Sequence, residues 1–97
     1  MRIDVFNWRK VDKVTKILIL CDIQIDGWIV IRDFQVSHRN DREPFVKSPT
    51  VFLNADGQRL IKTLVAIRDP ERWQEITNAI LKSYEEYQRN EEQGSRA

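Results

Sequence analysis

The sequence predicts an α+β protein, with an antiparallel β-sheet of about five strands built from hairpins and one C-terminal α-helix. Within residues 16–36, two alternating apolar stretches flank Asp26-Gly27, a dipeptide that is the strongest short-range signal for a β-hairpin. Within residues 69–87, large apolar and aromatic residues recur every three or four positions, as on one face of a helix. Strands joined by tight hairpins pair antiparallel, and this sets the fold class.

The turn at Asp26-Gly27 predicts the register of the long hairpin. A two-residue turn would place Ile25 opposite Trp28. The predicted core face then holds ten residues, namely Ile17, Ile19, Cys21, Ile23, Ile25, Trp28, Val30, Arg32, Phe34 and Val36. The other face is half apolar, with Leu18, Leu20, Ile29 and Ile31. Because such a face is normally covered, we expect the helix or a second subunit to lie on it.

Four further extended segments are predicted, at residues 3–9, 45–47, 51–53 and 58–67, of which 51–53 resumes the short strand at 45–47. The first alternates so that Phe6 and Trp8 share a face. Ser48-Pro49 separates the second from the third, and residues 54–57 form another hairpin turn ending in Asp56-Gly57. Residues 64–67 are all apolar, so the end of the last strand is expected to be buried on both sides.

The helix is predicted to begin at Asp69 and Pro70. Asp69 is a good N-cap, and proline fits the first helical position, where its missing N–H costs nothing. The apolar stripe consists of Trp73, Ile76, Ile80, Tyr84 and Tyr87. We expect the helix to end near Tyr87, residues 1–88 to form a single domain, and the polar tail at 89–97 to fray.

Size and composition narrow the class of protein. A chain of 97 residues buries a limited share of its surface, so a dimer is expected. The segment 1–10 lacks the apolar core of a signal peptide, and the sequence contains no apolar stretch long enough to span a membrane, so a cytoplasmic location is expected. The single cysteine, Cys21, is expected to be a small buried apolar residue.

Few residues are suited to catalysis. There is one histidine, His38, and one cysteine, so the chain alone supplies neither a Cys-His pair nor a zinc site with several Cys and His ligands. Asp22 and Asp33 share a face of the hairpin, but we expect them to face solvent or to bond to nearby Lys and Arg. The prediction is a protein without catalysis, cofactor, metal or small-molecule substrate.

The charge is unevenly distributed along the chain. Residues 1–68 contain 12 Lys and Arg against 8 Asp and Glu, whereas residues 69–97 contain 4 against 7. A polyanion should therefore meet the sheet side first. The predicted nucleic-acid-binding residues are Arg9, Lys10, Lys47, Arg59 and Lys62, with Lys13, Lys16, Arg39 and Arg42 as further candidates. Trp8, Trp28 and Trp73 are expected in the core rather than as stacking platforms for bases.

The order of several short motifs resembles the stage V sporulation protein G (SpoVG) family. The motifs are Arg9-Lys10-Val11, Ile31-Arg32-Asp33-Phe34-Gln35-Val36, Phe45-Val46-Lys47-Ser48-Pro49, Asp56-Gly57 and Ala79-Ile80-Leu81-Lys82-Ser83-Tyr84. Members of that family are small bacterial proteins named for a role in sporulation and septation. The resemblance implies an antiparallel sheet, a C-terminal helix, a homodimer, and a regulator that binds DNA and sometimes RNA.

One segment departs from the family pattern. The family usually has methionine where Ser48 stands, and serine followed by two basic residues where Thr50-Val51-Phe52 stands. Two lost phosphate contacts would weaken binding, and Lys47 compensates in part. The alternative is a protein-interaction module that keeps the fold and the dimer, has lost nucleic-acid binding, and presents Val51 and Phe52 as an apolar patch.

Overall fold

The computed structural model describes residues 1–11, 17–39 and 42–94. Its strands are β1 (Ile3–Val11), β2 (Ile17–Ile25), β3 (Ile29–His38), β4 (Phe45–Lys47), β5 (Thr50–Ala55) and β6 (Gln58–Thr63), followed by the helix α1 (Pro70–Gly94). A four-stranded sheet has the order β1-β2-β3-β4, and β5 pairs with β6 in a separate two-stranded sheet. All pairs are antiparallel. The α+β class and the C-terminal helix are thus confirmed, but the strands divide into two sheets.

The helix α1 covers one face of the four-stranded sheet. The buried core consists of Ile19, Cys21, Ile23, Phe34, Val36, Val46, Ile76, Ile80 and Tyr84. The predicted stripe of α1 and the predicted core residues of β2 therefore meet. Of the two covers expected for the face with Leu18 and Leu20, the helix is wrong, because α1 packs on the opposite face, and the second subunit stays a prediction.

The register of the long hairpin differs from the prediction near its turn. Asp26 and Gly27 both have positive φ, at 51° and 76°, as the predicted turn requires. However, Ile29 lies opposite Ile25, so Trp28 belongs to the connection. This shift of one residue places Ile29 and Ile31 on the covered side. The predicted core positions of Trp28, Val30 and Arg32 are therefore wrong, and all three are exposed.

A second irregularity restores the predicted positions further along β3. The pairing shifts between Cys21 and Ile23, and Asp33 has a φ of 67°. One extra residue in a strand reverses which side the following residues face. As a result, Phe34 lies opposite Cys21 and is fully buried.

A similar bulge interrupts β1 between Phe6 and Arg9, where Asn7 has a φ of 62°. Val5 and Trp8 both pack against the core, and Phe6 is exposed. The prediction that Phe6 and Trp8 share a face is wrong, because the bulge adds a residue between them. Trp8 stacks on Tyr87, with 5.3 Å between ring centroids.

The start of the last predicted strand is correct, but its end is not. The strand β6 ends at Thr63, and Leu64 is exposed rather than buried. The N–H of Leu64 donates to the carbonyl of Pro49 at 2.8 Å, which closes the base of the β5–β6 hairpin. The chain therefore leaves the strand at this bond.

The helix begins as predicted and continues further than predicted. The Asp69 carboxylate accepts from the N–H of Glu71 at 3.0 Å, which confirms the N-cap. Instead of fraying after Gln88, α1 continues to Gly94. Glu91 accepts from the Tyr87 hydroxyl at 2.7 Å and from Lys10 at 3.1 Å, so the last turns are attached to β1. Among the described residues, no helix is long and apolar enough to cross a membrane.

Candidate nucleic-acid interface

The face of the four-stranded sheet opposite α1 is called the open face. One row of side chains crosses all four strands on it, formed by Arg9, Leu20, Gln35 and Lys47, each opposite the next. Three strand spacings separate Arg9 from Lys47, or about 14 Å. Two of the five predicted binding residues therefore share this face.

Lys47 lies at the β4 edge of the open face and next to an aromatic ring. Val46 is buried in the core, so its neighbours Phe45 and Lys47 project to the opposite side. The Lys47 ammonium lies 5.3 Å from the centroid of the Phe45 ring, within cation–π distance. Both side chains are exposed.

Arg9, at the other end of the row, is held by two carboxylates. It donates to Asp22 at 3.1 Å and to Asp33 at 2.6 Å. This confirms the expectation that these carboxylates bond to a basic side chain. Because both partners are acidic, Arg9 adds little net positive charge to the open face.

Asp22 is the centre of this network and is only 2% exposed. It also accepts from the Asn7 amide at 3.0 Å and from the backbone N–H of Asp33 at 3.1 Å. Burial alone would raise the pKa of Asp22, but the hydrogen bonds from Arg9, Asn7 and Asp33 outweigh it and lower that pKa. Asn7 and Asp33 are the positive-φ residues of the two bulges, so one carboxylate links both irregular strands to β2.

The other three predicted binding residues lie elsewhere. Lys10 is opposite Ile19, on the side of α1, and pairs with Glu91. Arg59 and Lys62 are on β6, where Arg59 is opposite Asn54 and Lys62 is opposite Val51. Their separation of three residues along a strand places them on opposite faces of the β5–β6 hairpin. The candidates Lys13 and Lys16 lie outside the described residues.

Sequence reasoning missed Arg32 as a candidate. It is exposed beside the β3 bulge, and the described part of the chain offers it no ion-pair partner. Its predicted place was the core face of the hairpin. An arginine among apolar residues on a predicted core face was the signal that the register changes there.

Three large aromatic side chains are exposed, two of them on the open face and one in the connection between β2 and β3. Phe6 is opposite Asp22, Phe45 is opposite Ser37, and Trp28 lies in the connection before Val30. Trp28 is 76% exposed, so the expectation that it would lie in the core is wrong. The same expectation is confirmed for Trp8 and Trp73, which pack against the core.

Two other surfaces have different chemistry. An open groove of about 300 Å³ between β1 and α1 carries charges of both signs from Asp4, Lys82 and Glu86, so it does not extend a cationic surface. The β5–β6 hairpin has exposed apolar side chains, namely Leu53, Leu60 and Ile61, with Leu64 just beyond its end. The side chain of Phe52, part of the predicted apolar patch, is outside what the structure describes.

Cysteine and histidine are often used in catalysis, but Cys21 and His38 both have structural surroundings. Cys21 is fully buried, and burial raises the pKa of its thiol to about 12, so the thiol stays protonated at neutral pH. His38 lies at the end of β3, and its Nδ1 is 3.0 Å from the Tyr84 hydroxyl.

No protein-family model matches this chain, and neither a curated protein nor a solved structure matches it. The resemblance to the SpoVG family therefore stays a prediction from the motifs.

Proposed function

We propose that this chain is a small homodimeric regulatory protein of the SpoVG type that binds DNA or RNA in the cytoplasm, without catalysis or a cofactor. One observation carries the proposal. The open face presents Lys47 and Arg32 without acidic partners among the described residues, while α1 occupies the other face of the same sheet. Exposed cations that lack acidic partners are the groups that phosphates attract.

The expected binding is electrostatic and salt-dependent. Each neutralised phosphate contributes about 0.9 to the slope of log K against log salt for duplex DNA, so two contacts give about 1.8. This is a weak dependence compared with strongly basic DNA-binding proteins. The sheet positions these two cations through β3 and β4, which pair with each other.

The test is a titration of labelled duplex and single-stranded DNA and RNA at two salt concentrations. The wild type should bind at low salt, and the variant with both Arg32→Ala and Lys47→Ala should lose most of the salt dependence. Lys82→Ala is the matched control, because Lys82 is an exposed lysine on α1 and its removal should leave affinity unchanged. Absence of binding by the wild type at low salt would refute the proposal.

The second candidate function is the protein-interaction module. The exposed apolar side chains of the β5–β6 hairpin favour it, because a two-stranded hairpin has little stability alone in water. Titration of the wild type at low salt discriminates between the two functions, because the interaction module has lost nucleic-acid binding. If the wild type binds, Arg59→Ala and Lys62→Ala test the role of the hairpin. They weaken nucleic-acid binding if the hairpin belongs to the nucleic-acid interface, and they leave it unchanged if the hairpin serves contacts with protein.

The homodimer is proposed to form through the same hairpin. Ile61 is 67% exposed, and Thr63 lies on the same face of β6. Ile61→Lys should shift the sedimentation mass from twice 11.6 kDa to 11.6 kDa. Thr63→Lys adds the same charge without removing an apolar side chain and should dissociate the dimer less. A wild-type monomer would contradict this part of the proposal.

A further inference from the structure

We propose that the open face binds single-stranded nucleic acid by stacking bases on Phe45, Phe6 and Trp28. The inference rests on the proposed function and names its ligand class. Large aromatic rings are normally buried, where they contribute most to stability. Here Phe6 and Phe45 are exposed on the face that presents Arg32 and Lys47, and Trp28 is exposed in the connection between β2 and β3.

Aromatic rings together with cations fit a single strand better than a duplex. In a duplex the faces of the bases are already stacked on each other, so only the phosphates and groove edges are accessible. A single strand offers both phosphates and free base faces, and stacking contributes about 1–3 kcal/mol per base. The rings would add nothing to duplex binding, whereas Arg32 and Lys47 serve either ligand.

The pair of Phe45 and Lys47 supplies both kinds of contact at one place. The ammonium of Lys47 lies over the Phe45 ring at 5.3 Å from its centroid. A base that stacks on this ring takes the place of the ammonium above it, and the long Lys47 side chain then reaches the phosphate of the same nucleotide. Stacking and charge neutralisation thus act on neighbouring parts of one nucleotide.

A second copy of the chain fits the open face less well than it fits the hairpin. The open face combines its aromatic rings with Arg32 and Lys47, and two such faces brought together would place like charges near each other. The β5–β6 hairpin instead has exposed aliphatic side chains on both faces, with Leu53 and Leu60 on one and Ile61 on the other. The contact between copies is therefore assigned to the hairpin, and the open face to nucleic acid.

The decisive variant is Phe45→Leu, which removes the ring but keeps an apolar side chain. Its affinity for an oligothymidylate of about 12 nucleotides should fall roughly 5- to 150-fold, while affinity for a duplex of the same length stays within about twofold. Phe45→Tyr keeps the ring and should bind like the wild type. Circular dichroism of each variant checks that the fold is retained.

A second readout uses the fluorescence of Trp28. Because Trp8 and Trp73 are partly buried against the core, quenching by an added single strand should come mainly from Trp28. Trp28→Phe should abolish most of the quenching and keep binding within a few-fold, since a ring remains.

The possible outcomes separate this inference from the proposed function. If neither single strands nor duplexes bind at low salt, the proposed function fails. If single strands and duplexes both bind with salt dependence but Phe45→Leu changes neither affinity, the proposed function stands and the stacking inference is overturned. If Phe45→Leu changes only the sedimentation mass, the open face is an interface between copies, and the inference is overturned as well.

Discussion

The two faces of the four-stranded sheet use alternate residues of the same strands and have opposite chemistry. The face covered by α1 is aliphatic and aromatic, and its central residues Ile19, Cys21 and Ile23 are buried. The open face mixes exposed rings with charged side chains, around a single row that ends in Arg9 and Lys47. The covered face therefore determines stability, and we assign binding to the open face.

The largest expected difference between the faces is in core packing. Ile80→Ala removes a fully buried side chain of α1 and should lower the free energy of unfolding by about 2–5 kcal/mol, through lost burial and the cavity left behind. Val30→Ala, on the exposed side of β3, should cost at most about 0.5 kcal/mol. Urea denaturation of both variants measures the difference. Equal losses would mean that the open face is itself packed against another surface.

The next largest effect tests the hydrogen-bond network around Asp22, which links β1, β2 and β3. Asp22→Asn replaces a buried carboxylate that accepts from Arg9, Asn7 and Asp33, and should cost about 1–3 kcal/mol at neutral pH. Asp4→Asn is the control, because Asp4 is exposed and pairs with the exposed Arg2. A surface pair of this kind is worth about 0–1 kcal/mol. If the two substitutions cost the same, the network around Asp22 does not stabilise the sheet.

The same network makes stability depend on pH. Since folding lowers the pKa of Asp22, the folded state binds fewer protons than the unfolded state in this range. The contribution is full above the unfolded pKa of about 3.9 and disappears as the pH falls through the lower folded pKa. The stability difference between wild type and Asp22→Asn should therefore shrink below about pH 4. A difference that stays constant down to pH 2 would contradict the assignment.

The local signals in the sequence predict the elements well and the faces less well. Asp69 and the apolar stripe predict where α1 begins and which side of it is buried, because both are properties of a single helix. The bulges at Asn7 and Asp33 have only a weak local signal: both residues have positive φ, which asparagine and aspartate adopt more often than other non-glycine residues. Each bulge is stabilised by Asp22, which is distant in sequence from both. One extra residue reverses which side of the sheet the following residues face. Alternation without a bulge therefore predicts, wrongly, that Phe6 and Trp8 share a face.

The candidate site was predicted in part for the same reason. Lys47 follows from a short strand bounded by Pro44 and Pro49, and its position on the open face needs only the alternation of β4. The sequence places Arg32 and Trp28 on the core face of the hairpin, because the side of the sheet that they face depends on the length of the turn connection. Their exposure appears only when Ile29, not Trp28, lies opposite Ile25.

The smallest expected effect compares two lysines on opposite sides of the sheet. Lys47 projects from the open face, and Lys10 lies on the side of α1, where it pairs with Glu91 at 3.1 Å. Lys47→Ala should reduce the salt slope of duplex binding by about 0.9, the contribution of one phosphate contact. Lys10→Ala should leave the slope unchanged and should cost about 0–1 kcal/mol of stability, since the pair with Glu91 is largely exposed.

Binding isotherms for both variants at several salt concentrations measure the two slopes, and thermal unfolding measures the stability term. Equal reductions of the slope would mean that nucleic acid contacts both sides of the sheet. Because α1 lies against the β1 end of the covered face through Glu91 and Lys10, such contact would require the ligand to wrap around the edge at β1. If only Lys10→Ala reduces the salt slope, the interface lies at the edge between β1 and α1 and not on the open face.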